Sequence, residues 1–108
     1  MSSISFHQKL NNIWCTSETG TSIVDESGEI KVRSSEIVGE QIITHPYLPI
    51  SIIKQNYNYI YVNDSLEPLS DFKIESAEDL SITPEGKYIC WLNEGVFQYS
   101  EKSIDILN

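Results

Sequence analysis

The segment Leu80-Ser81-Ile82-Thr83-Pro84-Glu85-Gly86-Lys87-Tyr88-Ile89-Cys90-Trp91-Leu92-Asn93-Glu94-Gly95-Val96-Phe97-Gln98-Tyr99-Ser100 carries the clearest structural signal in the chain. Its apolar residues come in short runs of β-branched and aromatic side chains, the composition that suits a pleated, half-buried surface. Two turn signals divide the runs. In Thr83-Pro84-Glu85-Gly86-Lys87 the proline sets the first turn angle and the glycine permits a positive one, and Asn93-Glu94-Gly95 makes the second turn. The segment therefore reads as strand, turn, strand, turn, strand, with no helical periodicity.

The rest of the chain repeats this pattern, and its expected strands fall into three groups of four. The first group is 3–7, 12–16, 21–25 and 29–33; the second is 41–45, 50–54, 58–63 and 69–74; the third is 80–83, 87–92, 95–100 and 103–107. The second strands of the groups start at 12, 50 and 87 and the third strands at 21, 58 and 95, a period of about 37 residues. Ile4-Ser5-Phe6-His7, Ile43-Thr44-His45-Pro46 and Ile82-Thr83-Pro84-Glu85 occupy corresponding places, as do Glu18-Thr19-Gly20 and Asn93-Glu94-Gly95. Fixed periods of this size mark solenoids, propellers and arrays, and four strands per unit favour a propeller blade. The expected organisation is one all-β domain over 1–108, with repeat units 3–40, 41–79 and 80–108.

The third unit resembles the WD40-like (PD40) β-propeller blade, in which an apolar strand leads into Ser-Pro-Asp-Gly-Lys and then an alternating strand, a short turn and another strand. Thr83-Pro84-Glu85-Gly86-Lys87 is a conservative version of that turn. The first two units keep the strand spacing without the turn motif, and no unit carries the Trp-Asp dipeptide. The resemblance implies antiparallel four-stranded blades around an axis. It also implies binding at the ring face formed by the turns between second and third strands and by the connections between blades.

A blade covers its faces with neighbours, and propellers close with typically four to eight of them. Three blades leave the outer faces of the first and last bare, and two copies make six. The expectation is half of a six-bladed propeller closed by homodimerisation. A self-contained β-sandwich or trefoil-like barrel, and a ring completed by a different protein, are the alternatives.

Seven basic and sixteen acidic side chains give a formal net charge of −9. That charge disfavours contact with phosphate backbones and anionic lipid and suits a basic protein partner. No stretch approaches the roughly 18 apolar residues of a membrane span, and residues 1–7 lack the basic and apolar regions of a secretory leader, so the expected address is the cytoplasm. Cys15 and Cys90 sit in apolar strand runs and are expected to be reduced and buried.

Catalytic constellations are not apparent. The chain has no Gly-x-Ser-x-Gly, phosphate loop, His-Glu-x-x-His or Cys-x-x-Cys spacing, and no cofactor or metal is expected. His7 and His45, at matching ends of first strands, are expected to be structural turn residues. Asp25-Glu26-Ser27-Gly28-Glu29 reads as a hairpin turn in preference to a calcium loop, because strands flank it. Tyr57, Tyr59 and Tyr61 alternate and share one strand face, which either packs on a neighbouring unit or presents an aromatic patch. Trp14 and Trp91 either pack between units or stack on a ligand such as a sugar.

The expected function is a non-enzymatic protein-interaction module. Its binding residues, on the loop face, are Glu18, Asn56, Tyr57, Glu75, Glu78, Asp79, Asn93 and Glu94. The competing readings are an oligomeric propeller that binds a small ligand or carbohydrate through Trp14 and Trp91, and an acidic inhibitor that mimics nucleic acid.

Overall fold

A computed structural model describes residues 2–56, 58–74 and 77–101. Among them the chain is all-β, with no helix and hence none long and apolar enough to cross a membrane. Eleven strands follow in chain order: β1 Ser3–His7, β2 Asn12–Ser17, β3 Gly20–Val24, β4 Ile30–Ser34, β5 Gln41–Thr44, β6 Ile50–Gln55, β7 Asn58–Asn63, β8 Pro68–Lys73, β9 Ser81–Ile82, β10 Tyr88–Asn93 and β11 Val96–Glu101. They form three antiparallel meanders: β1-β2-β3-β4 (sheet 1), β5-β6-β7-β8 (sheet 2) and β9-β10-β11 (sheet 3). The expected strand at 103–107 lies outside the described residues.

The repeat is more regular than the sequence spacing suggested. Second strands begin at Asn12, Ile50 and Tyr88 and third strands at Gly20, Asn58 and Val96, so the period is 38 and not about 37. Lys87 belongs to the turn, which Thr83 closes by donating its N–H to the Tyr88 carbonyl at 2.9 Å. Even the irregularities repeat, since register shifts fall at Ile23/Val24 in sheet 1 and Tyr61/Val62 in sheet 2.

Sheet 2 is the middle layer, and its strands show why. Ile50, Ser51, Ile52 and Ile53 of β6 are all buried, as are Tyr59, Ile60, Tyr61 and Val62 of β7. Successive strand residues point to opposite faces, so an unbroken buried run means that both faces are covered. Ile42, Ile53, Ile60 and Val62 join Trp14 and Ile23 of sheet 1 in one core. Ile50, Ile52, Tyr59 and Tyr61 join Ile89 of sheet 3 in a second core, with Trp91 packed against it. Strands β2 and β10 show only the alternation of a sheet covered on one side.

The first strands of sheets 1 and 2 lie side by side. Thr44 Oγ1 donates to the Phe6 carbonyl at 3.0 Å and accepts from Ser5 Oγ at 3.0 Å, while Ser3 Oγ accepts from the Ile42 N–H at 3.2 Å. Short hydroxyl side chains suit this approach because they let the two strands come close and satisfy polar groups that neither sheet's own ladder uses.

Candidate functional site

Antiparallel meanders gather their turns at two ends, and the stack leaves two sheet faces bare. These four regions hold the functional candidates.

At one end are the histidines. His7 Nε2 donates to the Leu48 carbonyl at 2.7 Å, and its Nδ1 accepts from the Leu10 N–H at 3.2 Å. His45 Nε2 donates to the Gly86 carbonyl at 3.3 Å, and its Nδ1 accepts from the N–H groups of Tyr47 and Leu48 at 3.1 and 3.0 Å. A carbonyl can only accept and an N–H only donate, so both rings are neutral with the proton on Nε2. His45 lies in the turn after β5 as expected, whereas His7 is the last residue of β1; both rings bond turn N–H groups and tie each sheet to the next. Burial lowers both pKa values; the Leu48 and Gly86 carbonyls oppose that shift, and protonation of His7 would add to it at His45. Gly86 fits the joint because a Cβ there would collide with the His45 ring, and because its φ is +74°.

Beside the His7 joint is an open cleft of about 620 Å³, lined among others by Leu10, Asn12, Asp25, Glu26, Lys31 and Asp64. Asp25 anchors the hairpin turn there. Its Oδ1 accepts from the N–H and hydroxyl of Ser27 and from the Glu29 N–H, which holds its carboxyl below the ordinary value. The sequence reading did not single out this cleft, because Asp64 comes from another unit and no local pattern links it to Asp25.

At the opposite end the structure brings together most of the expected loop-face residues. Glu18, Asn56 and Glu94 occupy equivalent turn positions 38 residues apart, and Asn56 and Glu94 adopt positive φ of 60° and 51°. The connections between sheets lie against these turns. Gly39 N–H donates to the Ser17 carbonyl at 3.1 Å, Asn56 N–H to Glu40 Oε1 at 2.7 Å, and Glu78 N–H to the Leu92 carbonyl at 2.8 Å. Glu18, Asn56, Glu78, Asp79 and Glu94 are exposed and Asn93 is half-buried. Tyr57 and Glu75 lie outside the described residues.

The tryptophans are not a stacking pair. Trp14 is fully buried, its indole N–H bonded to Asn12 Oδ1 at 2.8 Å and its ring against His7, so it has no face to offer a ligand. Trp91 is half-buried against the second core. Tyr59 and Tyr61 are buried, with the Tyr61 hydroxyl pushed up to about 12 by desolvation. The cysteines are free thiols but half-buried, not buried as expected, because each points out of a sheet face that nothing covers.

The two bare faces are apolar. Strand pairing puts Ile4 beside Cys15, and Phe6 beside Ile13, which lies beside Val24 in turn. All five therefore stand on the outer face of sheet 1, where Ile4 is 69% and Phe6 55% exposed. On sheet 3, Cys90 pairs with Tyr99 and Leu92 with Phe97 on the face away from Ile89. Phe97 is 62% and Tyr99 64% exposed, and Tyr99 packs edge-on against Tyr88 at 5.7 Å between centroids.

Among the described residues no group of three or more His, Cys, Asp or Glu is arranged to hold a metal ion. No family model matches the chain, and comparison with curated proteins gives no match.

Proposed function

We propose that the chain is half of a six-bladed β-propeller, that a second copy completes the ring, and that the ring is a non-enzymatic scaffold whose acidic loop end engages a basic protein partner. The observation that carries this reading is the repeated joint. The His7–Leu48 and His45–Gly86 bonds are related by a shift of 38 residues in both donor and acceptor. Each sheet thus sits on the next through equivalent atoms, as blades around an axis do. The adjacency of first strands β1 and β5 supports it, since first strands line the axis of a propeller. So does the apolar surface at both ends of the stack, which is of the kind that marks an interaction site.

The acidic end supplies the binding surface. Glu18, Glu78, Asp79 and Glu94 are exposed there and raise the local negative potential of a chain already at −9. A cytoplasmic address suits the two free thiols. The reading assigns no catalytic residue, metal or cofactor. Titration with a lysine-rich peptide tests the acidic end. Binding should weaken at least tenfold when these four residues become Gln or Asn, and should fall as salt rises. Equal affinity for the neutralised variant would remove the acidic end from the account.

A further inference from the structure

The two bare faces are not alike, and the difference follows the repeat. Within the chain, the face that each sheet turns toward its successor carries the aromatic rings: Trp14 in sheet 1, Tyr59 and Tyr61 in sheet 2. The face that receives it is aliphatic in sheet 2, with Ile42, Ile53 and Ile60, and in sheet 3 sets Ile82 and Ile89 beside one ring, Trp91. The outer face of sheet 3 continues the first kind, with Tyr88, Phe97 and Tyr99 at positions one period beyond Ile50, Tyr59 and Tyr61. The outer face of sheet 1 continues the second, with Ile4 and Cys15 one period before Ile42 and Ile53, and adds a single ring, Phe6, one period before Thr44.

We infer that these faces are the two unlike halves of one joint, so that sheet 3 of one copy seats on sheet 1 of a second copy in the register the chain already uses twice. This rests on the dimeric reading above and adds which surface meets which. In the internal joints Trp14 shares a core with Ile53, and Ile52 shares one with Trp91. One further period puts Cys90 against Cys15 of the second copy. The receiving face has room for a ring. A groove of about 280 Å³ lies there between Ile4, Cys15, Ser22 and Arg33, and Arg33 donates to Ser22 Oγ at 2.8 Å. A guanidinium beside an aromatic face is favourable, and sheet 3 brings Phe97 and Tyr99. The joint between copies lacks one element of the internal joints. Thr83 stands one period after His45, and its hydroxyl accepts from the Tyr88 N–H at 3.1 Å. Association between copies is therefore weaker than the contacts within a copy.

Two single variants at exposed positions, Phe6→Glu and Tyr99→Arg, separate this pairing from its alternatives. Sedimentation is measured at a concentration where the natural chain is two copies, with circular dichroism to verify folding. Unlike faces predict that each variant alone has the mass of one chain, and that an equimolar mixture, which restores one intact joint, returns to two. If either variant alone remains a dimer, the faces pair like with like and the inference fails while the dimeric reading stands. A mixture that stays monomeric also overturns it. A natural chain that is monomeric at every concentration removes the dimeric reading as well.

Discussion

The Nε2 of His7 lies 2.7 Å from the carbonyl oxygen of Leu48, a hydrogen bond that spans two sheets and 41 residues. The same separation of 41 residues joins His45 to Gly86. Two buried imidazoles thus serve as polar fasteners of the stack, beside the apolar cores and the hydroxyl contacts of Ser3, Ser5 and Thr44. Each satisfies a carbonyl of the next sheet and at least one N–H of its own turn, groups that are costly to bury unpaired.

Replacing His7 with Ala leaves the Leu48 carbonyl and the Leu10 N–H without this partner and removes the ring that packs on Trp14. The expected loss is at least about 2 kcal/mol of unfolding free energy by urea titration. Exposed Lys9→Ala, on the adjoining turn, should stay within about 0.5 kcal/mol. Equal effects for the two variants would contradict the fastener role.

Acid should loosen the stack. The unfolded chain takes up protons at its histidines as pH falls through about 6.5, whereas burial lowers both histidine pKa values in the folded chain. The unfolded state therefore binds more protons in this window. Stability is complete above pH 6.5 and declines as pH falls from there toward the lowered native values. Urea midpoints at pH 7.5 and 5.5 measure this, and the decline should shrink in His7→Gln/His45→Gln. A midpoint that does not fall between those pH values would refute it.

Gly86 and Gly95 make a matched pair. Both have positive φ, +74° and +79°, but a Cβ at Gly86 would strike the His45 ring, while one at Gly95 meets open space. Gly95→Ala should cost about 1–2 kcal/mol, the backbone penalty alone. Gly86→Ala should cost more, and the excess should shrink in a His45→Ala background. An equal cost at both glycines would show that the joint is looser than described.

Trp14→Ala should cost about 3–5 kcal/mol, the range for a large ring removed from a packed core. The emission of Trp14, measured in a Trp91→Phe background, should resist quenching by iodide and be unchanged by glycans. Strong quenching would place the ring at the surface, against its full burial.

Much of the fold is legible in the residues because every strand in it is local. The runs Ile13-Trp14-Cys15, Ile50-Ser51-Ile52-Ile53 and Tyr88-Ile89-Cys90-Trp91 mark strands on their own, and turn residues separate them. The nearly continuous apolar runs of the middle unit, Ile50-Ser51-Ile52-Ile53 and Tyr59-Ile60-Tyr61-Val62, against the alternation of its neighbours, also carry the stacking order. The expected period is one residue short because Thr21, Lys87 and Gly95 fit equally well at the edge of a turn or the start of a strand, whereas the strands begin at Gly20, Tyr88 and Val96. What a reading along the chain could not supply is the pairing of residues 41 apart. The recurrence of histidine 38 residues apart was the available signal, and it suggested turns without indicating what lies across them. Full burial of Trp14 and half-burial of the cysteines depend on which faces meet, a property of the stack and not of the strand.

The mass of the chain in dilute solution, by light scattering over a range of concentrations, bears most directly on the claim that three sheets are half of a ring. The account predicts about twice 12.3 kDa, falling toward one chain on dilution. A constant 12.3 kDa, with the apolar outer faces of sheets 1 and 3 still exposed, would contradict it.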